Sequence, residues 1–195
     1  MRQYFSFGLL LCALLFTSCK QEIKETKTIP ESPKTDTTTE SPKKPLSPHT
    51  STMAMIGGAH IHIDYSSPGV RDRMIFGGLL AYDQVWQAGA HMATWLETDK
   101  DLIIDGQELP AGKYGFFTIP SKNEWTIIFN SNWDQHGKDE YDEKDDVIRF
   151  EVTPIISDEI TEHLEYKVSQ VSKNEGTIAL AWEKVSISFN FKVKQ

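Results

Sequence analysis

The most suggestive chemistry in this 195-residue chain is the triplet His60-Ile61-His62. Residues two apart on a β-strand project from the same face, so both imidazoles would stand about 6.5–7 Å apart along the backbone, with Asp64 next on that side. Ile61, Ile63 and Tyr65 would then face a core. Neutral imidazole nitrogen is a good ligand for Zn or Cu, and three or four convergent ligands would fix the geometry. His91, after Gly89-Ala90 at the start of an expected strand, and His136, in the loop NSNWDQHGKDEYD, are the candidates to complete such a set. Imidazoles on the wet face of an amphipathic strand also need no ligand at all, and that alternative stays open. His49 and His163 look unconnected to the set.

Aromatic side chains offer a second chemistry. Trp86, Trp95 and Trp133 fall near turns or strand ends, where exposed rings can stack on sugar faces without any catalytic group. Trp125 and Trp182 occupy core-facing strand positions and are expected to pack. Arg71 and Arg73, in the turn after Pro68, have the fork geometry that holds a carboxylate or phosphate in bidentate fashion; pairing with Asp64, Asp72 or Asp83 is the structural alternative. The acidic run Asp139 to Asp146 lacks the glycine and spaced glutamate of an EF-hand loop and reads as a solvated loop.

Familiar catalytic signatures are absent. There is no G-x-S-x-G elbow, no P-loop, no G-x-G-x-x-G and no H-E-x-x-H, so the common hydrolase, nucleotide and zincin mechanisms lack their local marks. A hydrolase site assembled from distant residues stays open, because such sites are recognised by geometry and not by order.

The elements that must position these residues are strands. Val185, Ile187, Phe189, Phe191 and Val193 alternate with polar neighbours, as do Ile178, Leu180 and Trp182 before them and Leu164, Tyr166 and Val168 before those. This period of two marks strands with one wet face. GKYGFFTIP and WTIIFN, separated by Ser121 to Glu124, read as a hairpin. AHIHIDY from Ala59, AHMATWLET from Ala90, Leu102 to Ile104 and VIRFEV from Val147 add further strands. Eight or nine short strands with no helical stripe predict an all-β fold, a single antiparallel β-sandwich of jelly-roll-like form or a barrel.

The N-terminal residues read differently. Arg2, an apolar run from Phe7 to Phe16 and small residues leading to Cys19 have the layout of a cleaved export signal, and about ten apolar residues are too few to span a bilayer. Leu15-Phe16-Thr17-Ser18-Cys19 resembles the bacterial lipobox, with Phe16 in place of the more usual leucine. Residues 1–18 are expected to be the signal peptide and Cys19 the lipidated residue, a membrane anchor of palmitate-like acyl chains. Two or more chains hold stably where one holds marginally. Lys20, where an inner-membrane retention aspartate would otherwise stand, points to the outer membrane on its periplasmic or surface side. Residues 19–50 are rich in Lys, Glu, Thr, Ser and Pro and read as a disordered tether. The two cysteines are Cys12 and Cys19, so residues 51–195, the expected folded domain, hold neither disulfide nor thiol chemistry.

Residues 51–195 carry 23 Asp and Glu against 13 Lys and Arg, which argues against nucleic acid as a partner. The partner is expected to be a membrane, through Cys19, and a small ligand or glycan; oligomeric state is left open. The succession IDYSSPGVRDRMIFGGLLAYDQVWQAGAHMAT, LPAGKYGFFTIP, WTIIFN, YDEKDDVIRFEV and ALAWEKVSISF resembles the domain of unknown function 2911 family, frequent in exported bacterial lipoproteins of the Bacteroidetes type. That resemblance implies a compact, mainly β domain of the cell envelope and brings no activity with it. Gln87, His91 and Met92 stand where the family more often has a basic residue and an Asn-Glu pair.

Overall fold

The structure is a computed structural model that describes residues 45–195. The expected signal peptide, Cys19 and most of the tether lie outside the described residues. Ten strands follow in order: β1 (His49–Ile56), β2 (Ala59–Ser66), β3 (Trp95–Thr98), β4 (Leu102–Ile104), β5 (Gln107–Leu109), β6 (Gly112–Ile119), β7 (Trp125–Asn130), β8 (Asp146–Val152), β9 (Ile155–Gln170) and β10 (Glu175–Val193). They build a six-stranded sheet, β1-β2-β3-β6-β7-β8, and a four-stranded sheet, β5-β4-β10-β9, with antiparallel pairing throughout. The two sheets enclose one apolar core. The fold is the antiparallel β-sandwich that the strand pattern predicts.

The core follows from strand alternation. Ile61, Ile63 and Leu96 from one sheet and Ile178, Leu180, Trp182, Phe189 and Phe191 from the other are buried between the layers. Phe116 packs on Phe129, Tyr166 and Phe189 with ring centroids 5.0, 5.4 and 6.1 Å away. Offset and edge-on aromatic pairs of this kind add to the burial of their area.

Two expected strands become one. The runs Ile178 to Trp182 and Val185 to Val193 both belong to β10, although the first buries even-numbered residues and the second odd-numbered ones. A bulge reconciles them: Glu183 has φ 56°, and the pairing with β9 shifts register on either side of it. An extra residue in one strand returns the following side chains to the same face and bends the strand.

One expected strand is mostly not a strand. AHMATWLET forms β3 only from Trp95 onward, and residues 67–94 are a long irregular excursion. Ile75, Phe76 and Trp86 of that excursion insert into the core, where the Trp86 ring stacks on Trp182 at 5.7 Å and 24°. A backbone bridge between Trp86 and Thr118 holds the segment against β6. Trp86, expected among the exposed rings, is therefore a buried packing residue, 4% exposed.

Candidate functional site

The outer face of the six-stranded sheet carries the polar chemistry, and a tight turn sets its register. Gly57 and Gly58, with φ of 60° and 77°, join β1 to β2. Positive φ at both central residues is the two-residue hairpin turn that matches strand twist. It pairs Ile56 with Ala59 and thereby Met55 with His60, Met53 with His62, and Ser51 with Asp64. His62 in turn faces Glu97 on β3, and Asp64 faces Trp95. Ile61, Ile63 and Tyr65 point to the core as the alternation requires.

His60 and His62 are half-buried, and their ring centroids are 6.0 Å apart. The His62 ring meets Trp95 edge to face at 4.9 Å and 82°. Its Nε2 is buried and has no hydrogen-bond partner. A buried polar nitrogen that no protein group pairs costs about 1–3 kcal/mol unless a water or an ion meets it.

Beside this pair lies an aromatic cleft of about 240 Å³, lined by Trp95, Trp133, Met92, His49, Asp64 and Asp134 among others. Gly115 on β6 lies beneath Trp133: a Cβ there would stand 2.6 Å from the Phe117 ring and 3.3 Å from both the Trp133 Cα and the Asn132 carbonyl, so the glycine keeps this part of the sheet open to both neighbours. The loop is fixed by Gln135, which is buried. Its side-chain amide donates to the Asn132 carbonyl at 2.7 Å and its Oε1 accepts from the Glu140 N–H at 3.1 Å. The Trp95 and Trp133 rings lie 6.3 Å apart at 65°. Lys113 sets its ammonium 3.4 Å from one ring centroid and 3.7 Å from the other. A cation shared by two indole faces holds both rings in place.

The sequence-derived candidates separate into those the fold gathers and those it spreads. His60 and His62 stand together on β2. His91 is exposed, with φ 62°, in the turn whose Ala90 N–H bonds the Ser66 carbonyl. That ties the turn to Ser66, which lies four residues along β2 from His62, about 13 Å by strand rise. His136 accompanies His91, through the Gly137 N–H to His91 carbonyl bond and a Met92–His136 bridge, and its ring is exposed beside Asp139 at 3.3 Å. Among the described residues, no group of three or more His, Cys, Asp or Glu side chains is arranged to hold a metal.

Of the remaining candidates, Arg73 spends its side chain on the backbone, while Arg71 is fixed, among the described residues, only through its main chain. Arg73 donates to the Val70 and Gly69 carbonyls at 3.0 and 2.6 Å, and the Arg71 N–H bonds Glu162 at 3.0 Å. Asp64 is bound to neither arginine; it accepts from His49 at 2.7 Å. In the acidic run, Asp146 receives Asn130 and Tyr141 at 2.8 and 2.9 Å and lies 3.3 Å from Arg149. Burial pushes its carboxyl above the ordinary range despite these partners.

Sequence reasoning missed three contributors: Met53, Met55 and His49. All belong to β1, which starts at His49. The signal that finds them is the alternating TMAMI, the Gly57-Gly58 turn, and the alternating AHIHI that follows.

No curated protein matches the chain, and no solved structure does. Residues 47–191 match the family described as protein of unknown function (DUF2911), a span that takes in both sheets, the excursion and the cleft, and the chain belongs to that family.

Proposed function

We propose that this domain is a ligand-binding module of a bacterial cell envelope, carried on lipidated Cys19 through a Pro-, Thr-, Ser- and Lys-rich linker, and that it takes a glycan unit in the cleft that Trp95 and Trp133 line. The observation that carries this reading is the pair of half-buried indoles held at 6.3 Å and 65° over a cleft with carboxylates at its rim. The indole surface that Lys113 leaves uncovered accepts the C–H face of a sugar ring, while Asp64, Asp134 and His49 supply the acceptors and donors that hydroxyl groups need. A cavity near 240 Å³ suits one sugar ring rather than a long chain. The rigid loop around Gln135 supports the reading because a site ordered before binding spends less of its interaction energy on ordering.

A glycan binding screen with the full chain and with Trp133→Ala tests the cleft. Binding by the wild type and its loss in the variant is the expected result; equal retention discards the aromatic platform, and a screen without any binder discards the glycan. The anchor is tested separately, by fractionating cells that express the wild type and Cys19→Ser. The variant should leave the membrane fraction, and an unchanged distribution removes the lipidation claim.

A further inference from the structure

The β1–β2 hairpin brings two thioethers to the two imidazoles. Met53 is directly across from His62 and Met55 from His60. Directly opposed residues of an antiparallel pair share a face, with Cβ atoms about 4.5–5.5 Å apart. A third side of this quadrilateral is the His60–His62 pair, 6.0 Å between ring centroids. Met53 and Met55 are 59% and 61% exposed and lie on the terminal strand of the sheet, so water and solutes reach them freely. Neither is spent on the core, which β1 serves through Ala54 and Ile56 on its other face.

We propose that Met53, Met55, His60 and His62 form a binding site for a soft monovalent cation, Cu(I). Thioether sulfur is a soft ligand that selects Cu(I), and imidazole suits the same ion. All four ligands are neutral, so a monovalent ion leaves less uncompensated charge near the sheet than a divalent one does. Zn²⁺ favours thiolate, imidazole and carboxylate ligands, and the described residues offer no grouping of three such side chains. The buried Nε2 of His62, without a hydrogen-bond partner, is the kind of atom that a bound ion satisfies. The edge position of β1 supplies the entry path that a metal site requires.

Ag(I), which shares the filled d shell of Cu(I) and does not oxidise in air, is the probe. It is titrated into the full chain, with Zn(II) in parallel, while the methionine methyl and histidine ring resonances are followed by NMR. Ag(I) should move the Met53 and Met55 methyls and the His60 and His62 rings while leaving Met74 and Met92 in place, and Zn(II) should move no methionine methyl. The double variant Met53→Leu/Met55→Leu keeps apolar volume at two exposed positions and should bind Ag(I) about tenfold or more weaker. Trp133→Ala should keep full Ag(I) affinity, which separates this site from the glycan cleft. Unmoved Met53 and Met55 methyls, equal shifts at all exposed methionines, or an unchanged affinity in the double variant overturns the proposal.

Discussion

Strand β2 shows two opposite uses of one backbone. Its inner residues, Ile61 and Ile63, are fully buried in the main core, and every atom they present is apolar. Its outer residues, His60, His62 and Asp64, are half-buried and polar, and one of their nitrogens is buried without a partner. The inner face is optimised for packing, which is what close-packed interiors reward. The outer face tolerates an unfavourable nitrogen beside a cation shared by two indoles. Such local departures from the energetic optimum concentrate where a protein binds something, and this one is what makes the outer face of β2 the candidate.

The largest test of this contrast is on the inner side. Phe116→Ala removes a ring that touches three other aromatics and should cost about 3–5 kcal/mol in denaturant unfolding; a loss below about 1 kcal/mol would show that this interior is loosely packed. On the outer side the sign reverses. His62→Phe keeps a ring against Trp95 and deletes the unpaired nitrogen, so stability should hold or rise by about 1 kcal/mol. A clear fall in melting temperature would mean that the His62 nitrogen has a structural partner, the Trp95 ring included. The smallest effect belongs to Lys113→Gln, which withdraws the shared cation and should cost roughly 0.5–1 kcal/mol. Its sharper readout is indole fluorescence, which should report looser Trp95 and Trp133 rings; an unchanged spectrum and stability would remove the ammonium from any role in ordering the cleft.

Much of the architecture was legible because strands write their orientation locally. The alternation in residues 185–193 named the buried side of β10 correctly, and the parity switch between Trp182 and Val185 already contained the Glu183 bulge. The excursion over residues 67–94 was not legible, since Trp86 is buried by contact with Trp182, nearly a hundred residues away in the chain. The GKYGFFTI segment makes the same point. Phe117 faces outward from the sandwich, yet it is buried in a second small cluster with Ala93 and Ile128, because the loops pack over that part of the sheet. Periodicity reports which face a side chain takes and is silent about what later covers that face.

The candidate site divides along the same line. That His60 and His62 share a face followed from their spacing alone, because side chains two apart on a strand cannot do otherwise. Which side chains would join them was a tertiary matter. The Gly57-Gly58 turn fixed the register that set Met53 and Met55 beside the imidazoles, and the chain path carried His91 and His136 to the far end of β2. Gly115 let Trp133 settle over the sheet next to Trp95. Composition and alternation were enough for an all-β fold, since burying one face of each strand is a local requirement, while closure as two sheets and not as a barrel was decided by the tertiary pairing. The neighbours of a half-buried imidazole come from strands and loops distant in sequence, and only the folded register decides them.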